Sequence, residues 1–237
     1  LQNGTRQYQH HQNNMGSFIG PDIVEDGLTY AIDAGSARSY SGSGTAINNL
    51  AGTPDGTFQN APTFSSANGG VWDFDGVDEW ANLGTVDLTV GFTLETFCYP
   101  DTLAFPIWGQ GPTLSNKGLH LQATNGSRGM VYGFYANDND YANYIPAVSN
   151  WYHWVFTYNG TSFAKAFYAN GVLQTPTSAV QNEYTETASN LRLAILFGSL
   201  SATPANGAIA CARVYNRPLS LAEVNQNFNA QRSRFGL

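Results

Sequence analysis

Charge is scarce in this chain. Only 11% of its 237 residues are charged, two of them lysine, and 10 basic against 17 acidic side chains leave a formal net charge of −7. Binding to nucleic acid draws on clustered Lys and Arg that release counterions from phosphates, and no basic stripe exists, so nucleic acid is excluded as a partner and an anionic membrane surface is disfavoured. Long apolar runs are also missing. The densest stretch, residues 191–200, is interrupted by Arg192, Gly198 and Ser199, and a spanning helix needs about 20 apolar residues, so no membrane span is expected. Two cysteines, Cys98 and Cys211, are too few for a disulfide framework and match no zinc-ligand spacing. They could form one bridge, or stand as two small buried apolar side chains. The chain opens on Leu1 with no initiator Met, basic n-region or apolar h-region, which reads as a processed or fragment chain.

What is abundant points to a folded β protein. Aromatic residues make up 14% of the chain, alongside 25 Gly and 10 Pro; so many rings collapse into a core, and so many turn residues break the chain into short segments. A single domain with two packed antiparallel sheets is expected. Residues 1–22 stand apart: Gln and Asn surround His10 and His11, with Met15, Phe18 and Ile19 as isolated apolar anchors. This segment reads as an extended polar arm, ordered by a neighbouring subunit. Eleven strand-like runs follow between residues 27 and 215, separated by turn residues. Asn170-Gly171 has the composition of a type I′ hairpin, as do Asn159-Gly160 and Asn125-Gly126. A helix is expected near residues 221–233, where Ser220 and Glu223 form an S-x-x-E capping box and Leu219 can pack on Val224.

Particular segments then resemble one family. Trp72-Asp73-Phe74-Asp75-Gly76-Val77-Asp78-Glu79-Trp80 is similar to the F-D-G-x-x-D-Y segment of laminin-G-like, concanavalin-A-like jelly rolls. Residues 92–97 (FTLETF), 151–160 (WYHWVFTYNG), 168–171 (YANG) and 209–220 resemble further strands of that family in the same order. The resemblance implies an all-β, antiparallel two-sheet jelly-roll sandwich over residues 23–237, with the N-terminal arm and one C-terminal helix. The opening around Asp33-Ala34-Gly35 and the ending Glu223-Val224-Asn225-Gln226-Asn227-Phe228 resemble jelly rolls of tailed-phage virion proteins. That likeness implies a structural protein on the virion surface, a capsid decoration or a fibre or tail component. Its partners would be neighbouring virion subunits, met through the arm, and host-surface glycans, in a homo-oligomer or larger assembly. The alternative is a secreted bacterial carbohydrate-binding or carbohydrate-active module. Ala210-Cys211 stand where the family often has Asp-Glu, and Ile47-Asn48-Asn49-Leu50 replace W-x-D-L.

No enzyme is expected. Retaining glucanases of this fold place carboxylates at E-x-D-x-x-E spacing on one strand; this spacing is absent, and Glu95 has no acidic neighbour on its face. His153, inside an aromatic strand, reads as a hydrogen-bonded sheet residue. No cofactor is required, but a calcium ion is admitted by the oxygen-rich segments, with Asp138 and Asp140 as first ligands. For glycans the candidates are Trp108, Tyr132, Tyr135, Tyr141 and Tyr144, because aromatic planes among Asn, Asp and Gln can hold the C–H face of a sugar while the amides orient its hydroxyls.

Overall fold

The computed structural model describes residues 22–196 and 203–237. Its strands are, in chain order, β1 (Leu28–Asp33), β2 (Ala46–Ile47), β3 (Gly56–Gln59), β4 (Thr63–Ser65), β5 (Val71–Asp75), β6 (Trp80–Thr85), β7 (Gly91–Pro100) and β8 (Phe105–Gln110). Then follow β9 (Leu119–Ala123), β10 (Met130–Phe134), β11 (Asp138–Tyr141), β12 (Tyr152–Asn159), β13 (Lys165–Ala169), β14 (Val172–Leu173), β15 (Asn190–Leu193) and β16 (Asn206–Tyr215). The helix α1 (Leu221–Gln231) ends the chain and runs into a 3-10 turn at Arg232–Phe235. The expected arm lies outside the described residues except for its last one, Asp22.

Two sheets form. The first has the order β14-β13-β12-β7-β16-β5-β4, and β1 pairs with β16 beyond β5, so that β1 and β5 share one edge of that long strand. The second has the order β11-β10-β9-β8-β15-β6-β3-β2. All these pairings are antiparallel, which makes the molecule the two-sheet jelly-roll sandwich the sequence implied. Between the sheets lies one core in which Trp72, Trp108, Trp154, Tyr132, Phe92 and Phe156 are fully buried. Rings of this size each remove roughly 150–250 Å² from water, which dominates the stability of a chain so poor in charge.

The outer face of the first sheet is covered as well. Helix α1 and the terminal turn lie on it, with Val224 packed beside Val155, Tyr168 and Tyr215, and Phe235 stacked on Phe97 at 4.7 Å between ring centres. Ser220 caps the helix: its hydroxyl accepts from the Glu223 N–H while the Glu223 carboxylate accepts from the Ser220 N–H. Under the helix sits a sealed polar knot. The Glu95 carboxylate accepts from Arg213 (2.7 Å) and Asn227 (2.6 Å), lies 3.0 Å from His153 Nε2, and has essentially no exposure. His153 thus holds a sheet position, hydrogen-bonded as expected.

Two hairpin readings need correction. Asn170 and Gly171 do take positive φ (50° and 79°) and join β13 to β14. The other two Asn-Gly pairs do not close type I′ turns, because their connections are longer. After β12 the Asn159 side chain accepts from the Thr161 and Ser162 N–H groups and the chain needs residues 160–164 to return. After β9 the left-handed glycine is Gly129 rather than Gly126. Cys98 and Cys211 are both free and buried, on opposite faces of the first sheet: Cys98 in the core, Cys211 beneath the terminal turn.

Candidate functional site

Of the five aromatic residues expected to hold a sugar, three are corrected by their burial. Trp108 and Tyr132 are fully enclosed in the core and Tyr141 is 1% exposed. Trp108 Nε1 donates to Thr96 and the Tyr132 hydroxyl to the Thr157 carbonyl. Each occupies the inward phase of its strand, so none offers a face to a ligand. Tyr144 is half-buried and accepts from Trp154 Nε1. Tyr135 is exposed, in the turn between β10 and β11, where it and Ala136 take positive φ (48° and 62°).

Asp138 and Asp140 do come together, one residue apart on the outer phase of the edge strand β11, but the cation between them is Arg128. Its guanidinium donates to Asp140 (2.9 Å) and Asp138 (2.7 Å), and His120 Nε2 stands 3.1 Å from the other Asp138 oxygen. Burial works to raise the Asp138 pKa, yet His120 and Arg128 outweigh it and hold the carboxyl at about 2. A calcium ion at Asp138 and Asp140 would have to displace this guanidinium. Among the described residues no group of three or more His, Cys, Asp or Glu is placed to hold an ion.

The register of the second sheet builds a different site. Cross-strand partners share a face, and successive pairings trace one row across the outer surface: Thr57, Asn82, Arg192, Gly109, His120, Gly133 and Asp138. Gly133 has to be glycine, because a Cβ there would fall 2.0 Å from Asp138 Oδ1 and 2.6 Å from the His120 ring. Gly109 leaves the row without a side chain between Arg192 and His120. Trp80 and Gln59, paired with each other, stand on the same face one step along, as does Gln122. Trp80 is half-buried, and the Arg192 guanidinium lies over its ring at 5.1 Å. The result is a row with an aromatic plane and a guanidinium at one end, an ion network at the other, buried Gly109, His120 and Gly133 between them, and amides at Gln59, Asn82 and Gln122. The sequence reading missed these residues because they are brought together only by pairing. The usable local signal is Arg192 between Leu191 and Leu193, since a charge between two core leucines must face out.

Residues 75–225 match the family model described as the concanavalin A-like lectin/glucanases superfamily. The chain belongs to that superfamily. No curated protein matches the sequence. Among solved structures, this member of the superfamily is similar to domain 4 of AbnA, an extracellular arabinanase from Geobacillus stearothermophilus, in complex with arabinotriose: 16% identity, TM-score 0.66, covering 85% of this chain and 98% of that one. It is also similar to Trypanosoma rangeli sialidase (17% identity, TM-score 0.65, 88% of this chain and 33% of that one). A third is the receptor-binding domain of botulinum neurotoxin type G (12% identity, TM-score 0.58, 86% and 51%). The lectin-like chain thus spans nearly all of the arabinanase domain but about a third of the sialidase. At these identities the likeness is one of fold. Among the described residues no helix is long and apolar enough to cross a membrane.

Proposed function

We propose that the chain is a non-enzymatic glycan-binding module and that the outer face of its second sheet is the binding surface. The observation that carries this reading is Trp80, half-buried on that face, with Arg192 over its ring and Gln59 and Asn82 beside it. A sugar ring lays its C–H face on an aromatic plane and turns its hydroxyls to fixed polar groups, and this face supplies both. The solved arabinanase domain with arabinotriose supports the reading by its fold and its ligand. A glycosidase acid has to carry a proton at working pH, and Asp138, held ionised by Arg128 and His120, could not fill that role.

The setting is a separate question. Display on a tailed-phage virion through the polar arm rests on the resemblance of the two end segments, and a secreted carbohydrate-binding module uses the same face equally well. The test is a glycan array run with the chain and with Trp80→Ala. Binding should appear for at least one saccharide class and fall at least about tenfold in the variant, as expected when a central aromatic is truncated. Binding that is unchanged in Trp80→Ala overturns the assignment of this face, and release of reducing ends from any bound glycan overturns the non-enzymatic reading.

A further inference from the structure

Four of the described guanidinium groups are paired with carboxylates. Arg128 meets Asp138 and Asp140, Arg213 meets Glu95, Arg217 meets Asp26 and Glu223, and Arg234 meets Asp33. Arg192 differs. Among the described residues no carboxylate and no hydrogen-bond acceptor engages it, and its contact is the Trp80 ring. It is half-buried, and burial lowers its pKa from the ordinary value. A partly desolvated cation without a counter-charge costs free energy, and in a chain with net charge −7 any of several acidic side chains could have been placed to relieve it. The contact with Trp80 uses the ring face, and no acceptor among the described residues takes the Arg192 N–H groups, which keep the fork that matches a carboxylate. On one side the row continues to Asn82; on the other it continues to Gly109, where nothing projects from the floor.

We infer that the glycan-binding face selects saccharides that carry a carboxylate, such as a uronic or nonulosonic acid, with the carboxylate forked on Arg192 and the sugar ring seated on Trp80. The inference rests on the proposed glycan-binding role of that face. At the other end of the row, three strands beyond Gly109 or roughly 14 Å away at normal strand spacing, Asp138 and Asp140 are met by Arg128 and by the Lys165 charge, so no cation is left free there. A single unpaired cation suits a ligand with one charge per sugar.

The experiment is titration calorimetry with the full chain against oligogalacturonate, oligoalginate and sialyllactose, each paired with its carboxyl methyl ester. Esterification keeps the ring and removes the charge. At least one acid should bind roughly tenfold or more tightly than its ester, the size expected for hydrogen bonds to a charged group, with an affinity that falls as salt is raised. Arg192→Gln should reduce that preference to near unity, and Arg192→Lys, which keeps charge but loses the fork, should recover part of it. Equal affinity for acid and ester overturns the carboxylate inference while leaving the glycan-binding reading in place. Binding to none of these probes or to any array glycan overturns both. A preference that survives in Arg192→Gln would place the carboxylate elsewhere and also overturn it.

Discussion

Lys165 shows how much one buried charge can shape the behaviour of a protein that has few. The residue is 8% exposed, and its ammonium donates to the Asn137 carbonyl (2.5 Å) and sits 4.8 Å from the Phe134 ring centre, inside the end of the sandwich. Burial lowers its pKa to about 8, with the Asp138 charge opposing part of that effect. The unfolded chain holds the same proton more tightly, so from about pH 8 upward it binds more protons than the fold, and stability rises with pH. The upper end of the window is set by tyrosines. Burial raises many of them, Tyr141 to about 12, so above pH 10 the unfolded chain gains by ionising and the trend reverses. Urea denaturation at pH 7, 8.5 and 9.5 should therefore show stability climbing by about 1–2 kcal/mol. In Lys165→Met the climb should vanish, and the variant should be at least as stable as the parent at pH 7. A flat profile in the parent would mean that the ammonium reaches water.

At the level of elements, the helix and the sheet beneath it are joined by the Glu95 knot more specifically than by apolar contact. Burial alone would raise the Glu95 pKa, but Arg213, His153 and Asn227 together bring it down to about 2. Asn227 also donates to the Tyr215 hydroxyl and accepts from the Val24 N–H, which ties helix, sheet and entering chain in one network. Glu95→Gln would leave Arg213 buried without its counter-charge, and such a loss costs about 3–5 kcal/mol; the expected result is a large drop in the urea midpoint with an unchanged slope. In the parent, this carboxylate's contribution is present above pH 4.5 and is lost as pH falls toward 2, so acid unfolding should begin earlier in the variant. The elements themselves were unequally legible. Ser220 and Glu223 announce the helix because a capping box is local in sequence. The strands β2, β3, β4, β8 and β11 were not anticipated, since they are short, contain Pro106, or, in the Asp138–Tyr141 segment, carry polar residues suited to a loop. What makes that last segment a strand is its pairing with β10, a non-local contact that no window of sequence displays.

Across the whole molecule the two sheets have unequal outer faces. The sandwich itself was readable from family-like strands such as residues 92–97 and 151–160, because a buried strand advertises itself by its aromatic and β-branched residues. The binding face was not readable, because Trp80, Arg192 and Gln122 lie far apart in sequence and are gathered by register, while the obvious aromatics Trp108 and Tyr132 serve the core. The inequality explains which face is open. On the first sheet, Phe97, Val155, Tyr168 and Tyr215 point outward and are covered by the terminal segment through Val224, Phe228 and Phe235. On the second, the outward residues over β3, β6 and β15 (Thr57, Gln59, Asn82, Arg192) are polar and reach the surface, whereas Val131 and His120 farther along are buried. A chain ending at Leu219 should therefore keep its intersheet core but expose a contiguous apolar patch of the kind that drives association. Gel filtration of that shortened chain should show oligomers or aggregates and strong binding of a hydrophobic dye, against a dye-silent parent. A monodisperse, dye-silent product with the parent's stability would mean that the terminal helix is not what seals the first sheet. The patch would then have to be covered by another part of the chain.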